Sequence, residues 1–456
     1  MDHVTRTAVL SRAATPPGGL LLGTLCLGVL IAQVDTSVVN LAAQPLAVAF
    51  HAGVTPLQWV IDAYNLVYAA LLLTCGLIAD LYGRRRAFMA GAVLMTLASL
   101  ACALAPGIGV LIAGRAVAGL GAALLLPASL AILRVAWPDP VARGQALGVW
   151  ASCNGLAFVI GPGLGGLLIA SWGWRSVFFL IVPLGAAAFL LARTVVAESA
   201  DRGERRFDLP GQALGALALG GLAAAAIADT GTPVRFTAAL GLAALAAPLF
   251  LHIERRAGPT ALVPLALFRS ASFSGALAAT GAMTFGIYGM IFLLPMVWQA
   301  SGRFGPEAAG LALTPCAALF FLVSQGSGAL TQHLGRRAMI AGGTALIGCG
   351  LTVVALTRAG TPLPLAEAGL GLAGIGMGLN TGPLYAVAVG AVAAERSGTA
   401  ASLINVARMS GATLGVAILG TAFGAAHGGA AGLEAAMLAG GAVQLAGAAI
   451  AWAMIR

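Results

Sequence analysis

Charge is scarce in this sequence. Only 9% of the 456 residues are charged and none is lysine, whereas 60% are hydrophobic. Soluble domains carry about 25% charged residues, so an ordinary soluble fold is excluded and a chain embedded in lipid is expected. The net charge of +9 does not indicate nucleic-acid binding, because the arginines are scattered rather than gathered into one patch. We expect the lipid bilayer, and no nucleic acid, among the partners.

Signatures of catalysis and metal binding are also missing. The sequence has no Walker loop, kinase motif set, zinc-ligand spacing or Ser/His/Asp constellation. Its six cysteines lie singly in apolar stretches, without the spacing typical of a disulfide framework or a metal site. We therefore expect no enzyme, no metal and no cofactor.

Long apolar stretches dominate what is present. A membrane-spanning helix needs roughly 20 mainly apolar residues. Stretches of this length recur along the chain, and their apolar runs are too long for the alternating strands of a membrane barrel. Only hydrogen-bonded helices then satisfy the backbone in lipid, so the fold class is an all-α polytopic membrane protein. We expect about fourteen spans, beginning near residues 20, 57, 87, 108, 143, 174, 209, 235, 271, 306, 338, 364, 398 and 431.

The arginines are distributed unevenly between the two sides of these spans. If the N-terminus is cytoplasmic, most arginines fall inside. The exceptions are Arg175, Arg235, Arg303 and Arg358 outside, and Arg115 and Arg408 within spans. Excess positive charge marks cytoplasmic loops. The pattern predicts a multi-pass protein of the inner, cytoplasmic membrane with both termini in the cytoplasm.

An internal repeat is visible in two places. The segment GLIADLYGRR at Gly76–Arg85 matches GALTQHLGRR at Gly328–Arg337, 252 positions later. A weaker match joins Ala118–Pro127 with Ala373–Gly382, 255 positions later. Topological repeats are common in secondary transporters. An offset of this size predicts six helices, an inserted pair and six more helices.

These repeats divide the chain into three parts. We expect residues 1–197 to form an N-terminal six-helix bundle and residues 270–456 a C-terminal one. Residues 198–269 hold a charged cytoplasmic loop, the inserted helix pair and a linker.

The loop between spans two and three carries the sequence's most specific motif. Gly76, Asp80, Gly83, Arg84 and Arg85 form a pattern that resembles the signature of the major facilitator superfamily. The resemblance implies a conformational latch that holds the two halves together in the outward-facing state. The departure is Leu81, where the family usually has arginine. The alternative is that the arginines are ordinary cytoplasmic loop charges.

Further segments resemble the fourteen-helix drug:proton antiporter branch of this family. VDTSVVNLAAQP is similar to its first helix, QWVIDAYNL to its second and NVARMSGATLGVAILG to a late one. The fifth span, GLAFVIGPGLGG, is similar to the motif of exporters through Gly155, Gly161, Pro162, Gly165 and Gly166. The resemblance covers essentially the whole chain. The sequence departs from the family's pattern at three positions. Ala118 stands where the family often has glutamine and Ile181 where it often has asparagine, and Pro45 lies one residue later than the usual first-helix proline.

A charged residue within a span costs about 2.5–3.5 kcal/mol on insertion scales and is a functional hypothesis by default. In the first span Gln33, Ser37 and Asn40 form a polar stripe that we expect to line the substrate cavity. Asp35 projects about 200° away from Gln33 at about 100° per residue. We therefore expect Asp35 to point into its own bundle and pair with Arg115.

Asp62 is the first candidate for a proton-coupling carboxylate, and the Asp35 and Arg115 pair is the second. Trp59, Asp62 and Asn65 share one face of the second span, which suits a polar pathway. The family resemblance supports both carboxylates. A structural, hydrogen-bonded acid is the alternative for either.

Other cavity candidates lie in the C-terminal bundle. Tyr288 belongs to a span rich in methionine and aromatic residues, which suits varied apolar ligands or simple core packing. Ser402, Asn405 and Arg408 step by three along one helix face. They bind an anionic or polar substrate, or Arg408 is a structural counter-ion.

Together these features predict proton-coupled efflux of small amphiphilic compounds, such as drugs or antibiotics, by alternating access. Small-molecule substrates and protons are the expected partners, the proton gradient is the energy source, and the working unit is a monomer. The alternative is a dedicated exporter of one endogenous metabolite, such as an antibiotic or siderophore. A uniporter, an importer and a membrane sensor are further alternatives.

Overall fold

The computed structural model describes residues 18–201, 208–227, 233–258, 261, 263–357, 362–392 and 397–456. Seven of the arginines that entered the topology prediction lie outside these residues: Arg6, Arg12, Arg202, Arg205, Arg206, Arg358 and Arg396. All regular structure in the described part is helical, and fourteen helices are long and apolar enough to cross a membrane. This confirms the all-α fold class.

The helices of the N-terminal half are α1 (Gly19–Leu41), α2 (Ala43–Phe50), α3 (Val54–Tyr82), α4 (Arg84–Ala103), α5 (Ile108–Ala136), α6 (Pro140–Trp172) and α7 (Arg175–Val195). The inserted pair is α8 (Leu209–Ile227) and α9 (Pro233–Ala257). A 3₁₀ turn, Leu265–Arg269, leads to the C-terminal half. That half holds α10 (Ala271–Ala300), α11 (Pro306–Leu334), α12 (Arg336–Ala355), α13 (Leu363–Gly390), α14 (Ser397–Ala425) and α15 (Gly429–Met454).

The spanning helices begin within three residues of the predicted positions. Capping side chains and glycines set where several of these helices begin or end. The side chain of Asp139 accepts a hydrogen bond of 2.8 Å from the backbone N–H of Ala142 and so caps α6. Gly83 and Gly335 separate consecutive helices at φ angles of 118° and 81°, which glycine adopts without steric cost.

The two halves repeat each other in three dimensions. Helices α3 and α4 have the same lengths as α11 and α12, and their bounds lie 252 positions apart. Close packing repeats as well. A Cβ atom on Gly91 would lie 2.8 Å from the carbonyl oxygen of Gly121, and one on Gly343 would lie 2.8 Å from that of Gly376. The predicted repeat register therefore corresponds to equivalent helix contacts in the two halves.

The inserted pair sits beside the boundary between the halves. Helix α8 packs against both α3 and α14, whereas α9 packs mainly on α8. Gln212 of α8 hydrogen-bonds to Thr74 and to the carbonyl of Ala70 on α3. Thr421 of α14 donates a 2.5 Å hydrogen bond to the carbonyl of Ala226 on α8. The inserted pair therefore contacts both halves, through α8.

The halves are joined at one side of the membrane region. We call the side where α1 begins the N side and the other the far side. Near the far side, Gln299 donates a 3.2 Å hydrogen bond to the carbonyl of Leu41. Gly310 of α11 packs so closely on the carbonyl of Pro162 of α6 that no Cβ fits between them. Toward the N side, Val149 of α6 and Leu322 of α11 are 50% and 64% exposed. The two halves are therefore in tight contact at the far side.

Candidate functional site

Asp35 and Arg115 form an ion pair inside the N-terminal half, as predicted. Both side chains are buried and in direct hydrogen-bond contact. The guanidinium also donates from Nε to the carbonyl of Val60 at 3.1 Å and lies 4.5 Å from the ring centroid of Tyr64. Tyr64 in turn donates to the carbonyl of Ala32 at 2.9 Å. One ion pair with two backbone carbonyls therefore ties α1, α3 and α5 together.

Asp62 has a different environment. Its side chain is fully buried, and among the residues that the structure describes neither carboxylate oxygen forms a hydrogen bond of good geometry. Asn65, one turn further along α3, lies close to this carboxylate, but the two side chains do not form a hydrogen bond of good geometry. Both polar atoms of Asn65 are also buried and unpaired. Trp59, on the same helix face, is half-buried. A buried polar group without a partner is unusual and calls for an explanation.

The position of Asp62 relative to the C-terminal half follows from its neighbours on α3. Gln58 donates to the carbonyls of Val416 and Ala417 on α14, at 3.0 and 2.7 Å. Because α3 and α14 run antiparallel, one turn from Gln58 brings Asp62 level with Thr413. The hydroxyl of Thr413 is also buried without a partner. Asp62 thus lies at the boundary between the halves, beneath the contact that closes the far side.

Arg408 on α14 lies among three tyrosines. Tyr68, Tyr288 and Tyr385 are close enough to interact electrostatically with its guanidinium. Tyr385 donates a 2.7 Å hydrogen bond to Asn405 Oδ1, which fixes the amide beside it. The hydroxyl of Tyr68 lies beside the guanidinium, and among the residues that the structure describes neither this hydroxyl nor Nε of Arg408 forms a hydrogen bond of good geometry. The structure thus brings together three predicted cavity residues, Tyr288, Asn405 and Arg408.

The polar stripe of α1 faces α6. Gln33 hydrogen-bonds to Asn154 of α6, and Ser37 packs directly on Gly161. Asn40 is buried and donates to the carbonyl of Thr36 at 2.8 Å. In this conformation Ser37 and Asn40 are therefore packed between helices rather than placed on an open cavity wall. Helical periodicity alone does not distinguish a wall from a tight contact between polar surfaces.

The glycines of the exporter motif allow close packing on two sides of α6. Gly161 and Gly165 lie against Ser37 and Val38 of α1. On the other side, Gly155 meets Phe321, and Gly166 meets the backbone of α11 at Pro306. The carbonyl of Pro162 packs against Gly310, as described above. Helix α6 therefore contacts α1 within its own half and α11 of the other half.

The residues of the latch motif interact within the N-terminal part of the chain. Arg84 donates from Nε and Nη2 to Asp80 Oδ1 at 3.0 and 2.9 Å. The Glu198 carboxylate accepts from the backbone N–H groups of Arg85 and Arg86 at 3.1 and 3.2 Å and so caps the start of α4. Gly76 packs on Pro127 of α5. Sequence reasoning did not assign Glu198 a role, and its only signal was an acidic residue in a charged loop.

Cys26 of α1 and Cys153 of α6 form a second contact that the sequence did not indicate. The two thiols lie together in a small cluster with Val29. Both cysteines are free. Their separation along the chain gave no reason to pair them.

Comparisons with known proteins agree with this architecture. The sequence profile described as Major Facilitator Superfamily matches residues 25–416. The chain is 37% identical to the multidrug resistance protein Stp of Mycobacterium tuberculosis over 402 residues, covering 88% of this chain and 74% of Stp. It is 31% identical to the methylenomycin A resistance protein of Streptomyces coelicolor, covering 96% and 93% of the two chains.

The fold also has counterparts among solved structures. A bacterial homologue of the human lysosomal transporter Spinster, in an inward-facing and unoccupied conformation, superposes with a TM-score of 0.68. The alignment covers 96% of each chain at 18% sequence identity. This similarity concerns the fold alone. The family assignment rests on the sequence profile and on the two resistance proteins. This chain belongs to the Major Facilitator Superfamily.

Proposed function

We propose that the protein exports small amphiphilic compounds in exchange for protons, by alternating access between its two halves. The relatives named for multidrug and methylenomycin A resistance support export as the direction. The distribution of arginines supports a cytoplasmic N side in the inner membrane. With that orientation, the far-side closure described above corresponds to an inward-facing state.

The observation that carries proton coupling is the buried, unpaired carboxylate of Asp62 at the boundary between the halves. A carboxyl group is carried in such a place at far lower cost when neutral than when charged. We propose that Asp62 takes up a proton when α3 and α14 separate at the far side. Closure of the Gln58 contact with Val416 and Ala417 then covers the protonated group.

Asp35 has a supporting role in this proposal. Its charge is compensated by Arg115, and its Oδ1 atom remains buried without a partner. The pair connects the helix that carries Asp62 with α1 and α5 through the carbonyl of Val60. We propose that it responds to the protonation of Asp62 by changing the packing of α3.

Transport in inverted vesicles tests the function. An imposed pH gradient, acid inside, is expected to drive accumulation of ethidium or fluorescein by the wild-type protein. Asp62→Asn is expected to abolish this accumulation while retaining exchange of the same dye down its own gradient. Glu434→Gln, which removes a carboxylate from α15, is the matched control. Undiminished proton-driven accumulation by Asp62→Asn contradicts the assignment of the proton site. Loss of gradient dependence in the wild type for both dyes contradicts the function.

A second candidate is the export of one endogenous antibiotic. The relative named for resistance to methylenomycin A, a single compound, favours it. A susceptibility panel on cells with and without the gene separates the two. Changes across several chemically unrelated compounds support the multidrug function, and a change for one compound alone supports the dedicated exporter.

A further inference from the structure

Arg408 carries its positive charge beside tyrosines rather than beside acidic side chains. Arg408 makes no ion pair among the residues that the structure describes, and its Nε atom is buried without a partner. The buried hydroxyl of Tyr68 lies beside the guanidinium, without a hydrogen bond of good geometry among the described residues. An arginine is always charged and a phenol donates one hydrogen bond. The cluster therefore carries a positive charge that no acidic side chain within it balances.

Hydrogen bonds hold the neighbouring polar groups of the cluster in place. The Oδ1 atom of Asn405 accepts from Tyr385 at 2.7 Å, and its Nδ2 atom donates to the carbonyl of Ala401 at 3.1 Å. Thr284 of α10 donates to the backbone carbonyl of Arg408 at 2.8 Å. These bonds fix the helix segment that carries the guanidinium. The side chain of Arg408 is left as the adaptable charged group.

The acidic residues of the spans do not neutralise Arg408. Asp35 is paired with Arg115. Asp62 lies six residues before Tyr68 on α3, which separates the two along the helix by about 9 Å. A charged side chain inside a membrane protein is expected to be paired or to line a functional pathway. A bound molecule with a negative charge would therefore supply the counter-charge for Arg408.

The cluster also lies between the two halves of the protein. Tyr68 belongs to the N-terminal half, whereas Tyr288, Tyr385 and Arg408 belong to the C-terminal half. Tyr68, Tyr288 and Arg408 lie in the middle portions of their helices. Substrate sites in transporters of repeated topology lie near the membrane midplane between the repeats. The cluster meets that condition.

We propose that Arg408, with Tyr68 and Tyr288, binds an ionised oxygen acid, a carboxylate or phenolate, on the exported compound. This inference rests on the proposed export function and narrows its substrates to amphiphilic acids. The planar guanidinium suits a carboxylate through two parallel hydrogen bonds, and the tyrosine rings suit an aromatic body next to the acid.

Paired dyes of one shape and opposite charge test the proposal. Fluorescein carries a carboxylate and a phenolate, whereas rhodamine 123 is a cation on the same ring system. Binding of each dye to the purified protein in nanodiscs of uncharged phosphatidylcholine is measured by fluorescence anisotropy, with empty nanodiscs subtracted. The wild-type protein is expected to bind fluorescein more tightly than rhodamine 123.

Three variants complete the test. Arg408→Gln is expected to weaken fluorescein binding about 10- to 100-fold, the effect of losing hydrogen bonds to a charged group, without weakening that of rhodamine 123. Tyr68→Phe is expected to weaken it several-fold, since it removes one donor and keeps the ring. Arg193→Gln, which removes an exposed arginine at the end of α7, is the control and is expected to change neither dye.

Several results would overturn the acid site. They are absent fluorescein binding by the wild type, tighter binding of rhodamine 123, and equal loss of both dyes in Arg408→Gln, which makes Arg408 a structural counter-ion. Size-exclusion profiles that match the wild type exclude misfolding, and Tyr68→Phe tests the site independently of the arginine. Proton-driven transport of rhodamine 123 but not fluorescein leaves the export function intact and rejects the acid site. Arg408-dependent fluorescein binding without proton-driven transport of either dye supports the acid site and contradicts the proposed export function.

Discussion

Gln58 donates from its side-chain amide to the backbone carbonyl of Val416, with 3.0 Å between the nitrogen and the oxygen. The two residues belong to opposite halves of the protein, and both are fully or almost fully buried. This bond and its neighbour to Ala417 join the halves at the far side, directly above the level of Asp62. Far-side closure and access to the candidate proton site are therefore parts of one helix contact.

Gln58→Ala is expected to open the far side more often. Loss of two hydrogen bonds between the halves costs about 0.5–1.5 kcal/mol each and shifts the conformational equilibrium several-fold. Labelling of Thr413→Cys by a membrane-impermeant maleimide, in a background without the native cysteines, reports this opening. Gln444→Ala is the matched control, because Gln444 donates to the carbonyls of Ala282 and Met283 within the C-terminal half alone. Equal labelling in both variants contradicts the prediction.

Gly310→Ala is expected to prevent closure of the far side. A Cβ atom at this position overlaps the backbone carbonyl of Pro162 on α6, which cannot move away as a flexible side chain does. The same maleimide assay should show high labelling together with lost transport and a normally folded protein. Gly328→Ala on the same helix meets no atom within 4 Å and should behave as wild type. A Gly310→Ala variant with normal transport argues against tight packing of α6 and α11 during the cycle.

Replacing one member of the Asp35 and Arg115 pair is expected to destabilise the N-terminal half. Each single change, Asp35→Asn or Arg115→Gln, leaves a buried polar partner uncompensated, at a cost of about 3–5 kcal/mol. The double variant removes both charges and should recover part of the lost thermal stability, measured by unfolding in detergent. Additive losses in the double variant would show that the two side chains are not energetically coupled.

Glu198→Gln is expected to lower stability modestly, by about 1 kcal/mol, because a charged cap at the start of α4 is lost. The measurement is the unfolding midpoint in detergent. Asp201→Asn is the control, since Asp201 bonds to Asp80 through its backbone N–H at 2.7 Å. An unchanged midpoint for Glu198→Gln, or an equal drop for Asp201→Asn, refutes the capping role.

Much of the fold follows from local properties of the chain. Span positions were predicted well because each helix must supply enough apolar residues to cross the bilayer, whatever its neighbours are. The ion pair of Asp35 and Arg115 was predictable because helical angles exclude the face shared by Gln33 and Ser37. Only one cation within a span then remained in the same half.

Contacts between distant helices were not predictable in the same way. Cys26 and Cys153 meet because α1 packs on α6, and Ser37 is covered by Gly161 for the same reason. A single sequence states which face of a helix is polar but not which neighbour covers that face. Glu198 was missed because it lies in a loop, where no periodicity exists to place it.

The sequence by itself determined the number of spanning helices, the six, two and six arrangement and the charged residues placed within the spans. These features depend on hydrophobic length, repeated motifs and the cost of charge in lipid. Each of these can be read from short segments of the sequence. Only the tertiary structure decided that Asp62 is sealed beneath Gln58 and that Tyr68 stands beside Arg408. Those pairings depend on how α3 meets α14, and that contact is set by the packing of all the helices together.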